Sequence, residues 1–140
     1  MTDKIELDKK PTIVIADSDA IARFYLRQAI ETSFQVNIEE HRNGSSLIEQ
    51  ARRGYAFTPP KVIIIDLNLP LAPALEVLSF FSQHELLSPI PIIVITTGEA
   101  LDSKQTILRY GAKKIIQKPT GLENYTDIIS AVSMYLKPKE

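Results

Sequence analysis

Val62-Ile63-Ile64-Ile65-Asp66 is a run of four β-branched apolar residues ending in a carboxylate. It follows Pro59-Pro60 and precedes Leu67-Asn68-Leu69-Pro70. A short apolar run bounded by turn residues reads as a strand buried on both faces, the habit of parallel sheets. The pattern recurs along the chain. Ile13-Val14-Ile15-Ala16 leads into Asp17, Ile92-Ile93-Val94-Ile95 into Thr96, and Ile115-Ile116-Gln117 into Lys118-Pro119.

Helical spacing fills the gaps. Ile21, Tyr25, Leu26 and Ile30 share a face over about 19–32, with Ser18 or Asp19 placed to cap it. A weaker, more polar strand covers 36–40. Asn43-Gly44-Ser45-Ser46 opens a short helix carrying Leu47, Ile48 and Ala51. Pro73 suits the first position of a third helix, whose inner face is Ala74, Leu75, Val77, Leu78 and Phe81. A fourth helix spans about 101–110 and closes at Gly111. After a fifth strand at 114–118, a last helix spans about 122–136, with Tyr125, Ile128, Ile129, Val132 and Tyr135 or Leu136 inward. Strands alternating with helices give an α/β three-layer sandwich. Right-handed crossovers leave few topologies. The flavodoxin-like (βα)5 arrangement, a five-stranded parallel sheet in the order 2-1-3-4-5, puts the most apolar runs at the centre and the polar 36–40 strand at an edge. The expected division is a leader at 1–10, one domain at 11–137 and a polar tail at 138–140.

The 140 residues suffice for one domain with a full core. Sixteen basic residues against seventeen acidic ones give a net charge of -1. That balance gives no basic footprint for nucleic acid or an anionic membrane. There is no cysteine, so disulfides and thiolate chemistry are excluded. Residues 1–10 lack an apolar signal core, and no run approaches a membrane span. A cytoplasmic domain is the expectation. His41 and His84 have no companion ligands and read as surface or partly packed side chains, and no Ser-His-Asp set is discernible.

Ligands of open parallel sheets bind beyond the carboxyl ends of the strands. Asp17, Asp66, Thr96 and Lys118 are therefore expected at one end of one sheet. Two carboxylates, a hydroxyl and an ammonium suit magnesium-assisted phosphoryl transfer to an aspartate. The attacking carboxylate and its donor are both negative, and a metal ion and a lysine offset their repulsion.

Taken in order, Ile13-Val14-Ile15-Ala16-Asp17-Ser18 with Arg23, Asp66-Leu67-Asn68-Leu69-Pro70, Ile95-Thr96-Thr97, Gly111-Ala112 and Lys118-Pro119 resemble the receiver domain of bacterial two-component response regulators. The spacings are 30 residues from Asp66 to Thr96 and 22 from Thr96 to Lys118. The resemblance implies a stand-alone, chemotaxis-type regulator, a signalling domain rather than an enzyme. Asp66 would accept a phosphoryl group from a histidine kinase or phosphotransfer protein. Asp17, Asp66 and the backbone carbonyl of Asn68 would hold magnesium, Thr96 would report the phosphoryl group, and Lys118 would pair with Asp66. A cis bond before Pro119 is also implied. The fourth helix, fifth strand and fifth helix would form the face for a downstream protein, and a homodimer stays open.

The chain departs from the family pattern at the metal and the switch. The family carries two adjacent acids where this chain has Ala16-Asp17, so weaker magnesium binding is expected. Pro73-Ala74 replaces Asp-Gly, Thr97 replaces a small residue, Ile115 replaces an aromatic and Thr120 follows Lys118-Pro119. These changes keep alive a second reading, a pseudo-receiver adapter without chemistry. A third is a haloacid-dehalogenase-type phosphatase, from Asp17-Ser18-Asp19-Ala20-Ile21. It lacks the later strand-end acidic pair, because the acids after Lys118 are Glu123, Asp127 and Glu140.

Overall fold

Strand alternation decides which residues face which helical layer. The computed structural model describes residues 10–55, 59–97, 103–119 and 124–139. The five strands are β1 (Thr12–Ala16), β2 (Asn37–His41), β3 (Val62–Asp66), β4 (Ile92–Thr96) and β5 (Lys114–Gln117). All pair in parallel, in the order β2-β1-β3-β4-β5, as expected. The described helices are α1 (Ala20–Ser33), α2 (Gly44–Arg53), α3 (Ala74–Ser82), α4 (Lys104–Arg109) and α5 (Thr126–Val132). The expected starts of the last two helices, at 101 and 122, lie outside the described residues, as do Thr120 and the first nine residues.

Val14, Ala16, Ile63, Ile65, Ile92 and Val94 pack one way, against Leu47, Ile48 and Ala51 of α2, Val77, Leu78 and Phe81 of α3 and Ile107 of α4. Ile13, Ile15, Val62, Ile64, Ile93, Ile95 and Ile116 pack the other way, against Leu26 and Ile30 of α1 and Ile128, Ala131 and Val132 of α5. Both faces of β1, β3 and β4 are thus core, which is why these strands are continuous apolar runs. Each fully buried isoleucine or leucine contributes roughly 1.5–3 kcal/mol relative to exposure. No described helix is long and apolar enough to cross a membrane.

Several boundaries differ from the sequence reading. Of the two caps expected for α1, Asp19 is the one used, accepting from the amides of Ile21 and Ala22. Ile21 is 67% exposed, and the inner face of α1 is Arg23, Leu26 and Ile30. Residues 21 and 23 stand about 200° apart around a helix, so a buried Arg23 turns Ile21 outward. β2 runs one residue past the expected 36–40, pairing His41 with Ala16, and Val36 lies before it. β5 ends at Gln117, before Lys118. Lys139, in the expected polar tail, donates from its backbone to Ser33 O at 2.7 Å and from Nζ to Glu31 O at 2.7 Å. It thereby supplies a cation to the C-terminal carbonyls of α1, whose last turn has no basic residue of its own.

The loop between β3 and α3 is seated on the start of α2. Gly44 N donates to Pro70 O at 3.2 Å, and a Cβ on Gly44 would lie 2.0 Å from Ala72 O. Only glycine admits this approach. Gly44→Ala should destabilise the domain by about 1–3 kcal/mol, the usual range for overpacking. Denaturant unfolding checks this, and an unchanged midpoint would mean that the loop is free to move away.

Candidate functional site

Asp17 continues the alternation of Ile13 and Ile15, Asp66 that of Val62 and Ile64, and Lys118 that of Ile116. Thr96 continues the opposite alternation, that of Ile92 and Val94. The parallel register brings their strand ends level, with Ala16 opposite Ile65, Asp66 opposite Ile95 and Thr96 opposite Gln117. Three charged side chains of one parity therefore meet at the carboxyl end of the sheet.

Lys118 Nζ lies 2.9 Å from Asp66 Oδ2, as a hydrogen bond, and 2.7 Å from Asp17 Oδ2. The second contact is a buried ion pair, and Asp17 Oδ2 has no other polar partner among the described residues. Asp17 Oδ1 accepts from Asp19 N at 2.9 Å, and Asp66 Oδ1 accepts from Asn68 N at 3.1 Å. Burial pushes the Asp17 carboxyl above its ordinary value, outweighing Lys118 and the Asp19 amide. Burial acts to lower the Lys118 ammonium, but its pairing with Asp17 and Asp66 wins and raises it.

Asn68 therefore reaches Asp66 through its amide. Thr96 is buried, and its carbonyl accepts from Lys118 N at 2.6 Å, joining β4 to the Lys118 turn. The Lys118–Pro119 bond is trans, since no described peptide is cis, in contrast to the expectation. Leu71, in the loop after Asp66, adopts φ 58°, a left-handed conformation unusual for leucine, and is 76% exposed.

Two polar side chains near the site have partners that sequence reasoning missed. His41 is buried, more fully than the surface or partly packed side chain expected, its ring 2.6 Å from both Ser46 Oγ and Glu39 Oε2, while its carbonyl accepts from Asp17 N at 3.0 Å. Arg23 was visible only as part of a motif. Its Nη1 donates to Asp17 O at 2.6 Å and its Nε to Glu40 Oε1 at 3.1 Å. A basic residue at an inward helical position was the available signal. His84 is exposed, with Nδ1 2.6 Å from Phe80 O.

The donor set suits a hard divalent cation. Two carboxylates face one ammonium, leaving a net negative charge, and Asp17 Oδ2 has Lys118 as its one polar partner among the described residues. Magnesium is commonly held by one or two carboxylates and keeps several waters. Among the described residues no group of three acidic or histidine side chains forms a fuller cage.

The sequence profile described as the response regulator receiver domain matches residues 13–130. This chain belongs to that family. A probable methanogenesis regulatory protein of Methanothrix harundinacea, FilR2, is 26% identical over 125 residues, covering 88% of this chain and 81% of that one. The polar-differentiation response regulator DivK of Brucella ovis is 25% identical over 122 residues, covering 87% and 94%. A protein-glutamate methylesterase/protein-glutamine glutaminase of Carboxydothermus hydrogenoformans is 31% identical over 115 residues, 80% of this chain but 30% of that protein. The phosphorylated cyanobacterial phytochrome response regulator RcpA matches the fold with a TM-score of 0.80 at 20% identity, covering 90% of this receiver and 93% of that chain. The Mn(2+)-bound form of the response regulator Rcp1 gives 0.78 at 20%, covering 91% and 95%.

The charge balance at this receiver's strand ends dictates opposite stability effects. Lys118→Met leaves two carboxylates facing each other and should destabilise the fold by about 3 kcal/mol. Asp17→Asn leaves one balanced pair and should stabilise it. With its folded pKa above the ordinary 3.8, Asp17 loses the fold stability as pH rises through that raised value. Asp17→Asn should remove this loss. Thermal unfolding between pH 3 and pH 7, as an experimental window, checks both signs, and a destabilised Asp17→Asn would refute the charge argument.

Proposed function

We propose that this chain accepts a phosphoryl group on Asp66 from a histidine kinase or phosphotransfer protein and signals by protein contact. The observation that carries the reading is the Lys118 ammonium shared between Asp66 Oδ2 and Asp17 Oδ2. An Asp66 oxygen attacks phosphorus, an acyl phosphate bond forms, and the bond from phosphorus to the donor nitrogen breaks. Lys118 offsets the negative charge of both partners during the approach. Asp17, Asp66 and the Asn68 carbonyl would hold magnesium, which when bound neutralises phosphoryl charge. Of the two carboxylates Asp66 is the more accessible, its side chain 10% exposed against 2% for Asp17. That favours Asp66 as acceptor over the phosphatase reading, which needs Asp17.

Thr96 would sense the new group. Its carbonyl already holds Lys118 N, so a shift of the threonine pulls on the chain leaving β5. The face of α4, β5 and α5 is the proposed docking surface for a downstream protein. There Ile115 packs half-buried on the α2–α4 core instead of presenting a mobile ring. One observation favours the pseudo-receiver instead. Ala16, 1% exposed, puts a methyl where the family has an acid.

Incubation with a small phosphodonor and magnesium, followed by intact-mass measurement, separates the readings. A single phosphate adduct is expected, and it should be absent in Asp66→Asn. No adduct on folded protein at high magnesium would establish the pseudo-receiver, and an adduct lost in Asp17→Asn but kept in Asp66→Asn the phosphatase. Ala16→Asp should tighten magnesium binding while lowering stability, because the new carboxylate enters a buried position. Calorimetric titration and unfolding read the two effects, and unchanged affinity would show that the missing acid does not limit binding.

A further inference from the structure

Arg23 occupies a position where α1 needs an apolar residue. It is 8% exposed on the same face as Leu26 and Ile30. Burying a guanidinium requires partners, and an apolar side chain of similar volume commonly serves stability as well or better. The partners are specific. Nη1 donates to the backbone carbonyl of Asp17 at 2.6 Å, and Nε is held by Glu40 Oε1 at 3.1 Å. The other Glu40 oxygen accepts from Arg27 Nη1 at 2.6 Å, so the carboxylate on edge strand β2 bridges two arginines. Arg27 in turn faces Glu31 at 3.4 Å.

The consequence falls on Asp17. Its N–H donates to His41 O, its carbonyl accepts from Arg23, and its Oδ1 accepts from Asp19 N. Oδ2 is met by the Lys118 ammonium alone among the described residues. β1 supplies one carboxylate because Ala16 supplies none, so the presentation of that one carboxylate carries more of the metal affinity. We propose that Arg23 is a positioning residue for the divalent ion. Anchored on β2 by Glu40, its guanidinium clamps the Asp17 backbone so that the Asp17 carboxylate meets the metal without rearranging. The inference rests on the metal role proposed above for Asp17. Outer groups that orient a ligand typically change metal affinity about 10–100-fold when removed.

The test is direct binding to the full chain, by magnesium calorimetry and by Mn²⁺ electron paramagnetic resonance, with amide NMR spectra of each variant. Arg23→Met keeps the apolar stem and removes the fork. It should weaken binding about tenfold and shift the Asp17 and Asp19 amides. Arg23→Lys keeps the charge but cannot hold both partners, so an intermediate loss is expected, and it carries the test if Arg23→Met does not fold. Arg27→Ala, which removes only the exposed partner of Glu40, should leave affinity within twofold. Wild-type affinity in folded Arg23→Met or Arg23→Lys, with affinity lost in Asp17→Asn, overturns the clamp and leaves the metal role of Asp17 standing. A wild-type chain that binds neither ion overturns both.

Discussion

The ammonium of Lys118 sits between two carboxylates at the carboxyl end of the sheet, and the arrangement of the site follows from that charge. Asp17 and Asp66 leave neighbouring strands with the same parity and repel each other in a partly buried setting. Lys118 arrives from across β4 and balances one of them. The remaining negative charge makes the site receptive to a further cation. It also explains why burial can hold the Asp17 carboxyl above its ordinary value beside an ammonium. A structure built only for stability would have one carboxylate fewer.

Around this centre, backbone groups are held by partners from distant segments. The Asp17 backbone is gripped by β2 through His41 and by α1 through Arg23. The loop after Asp66 is seated on Gly44 at the start of α2, where no Cβ would fit. Thr96 is tied to the turn after β5 through its carbonyl. Rigid supports of this kind let a few polar groups keep their geometry without spending ligand binding energy on ordering them. The left-handed Leu71 stands at the rim of the same loop, exposed to solvent.

Much of the fold was legible because its signals are local. Four β-branched residues before Asp66 and before Thr96, and three followed by Ala16 before Asp17, declare parallel strands through composition alone. The polar 36–40 segment declares an edge. The convergence of Asp17, Asp66 and Lys118 was legible too, since strand ends in an open parallel sheet share one face. Helix limits were less so. Ile21 fits an apolar stripe by spacing, yet Arg23 takes the inner position because Asp17 O and Glu40 are there to satisfy it. His41 reads as a surface or partly packed side chain until β2 extends far enough to place its ring against Ser46 and Glu39.

The sequence by itself determined the parallel α/β sandwich, which strands are central and which is an edge, and the three charged residues at the carboxyl end, because periodicity and strand-end chemistry are properties of short segments. Tertiary structure alone decided which oxygen of Asp17 meets Lys118, why an arginine is buried in α1 and how closely α2 approaches the Asp66 loop. Those outcomes depend on distances of a few ångströms between residues far apart in the chain. Such distances are set by packing and charge compensation once the layers have closed.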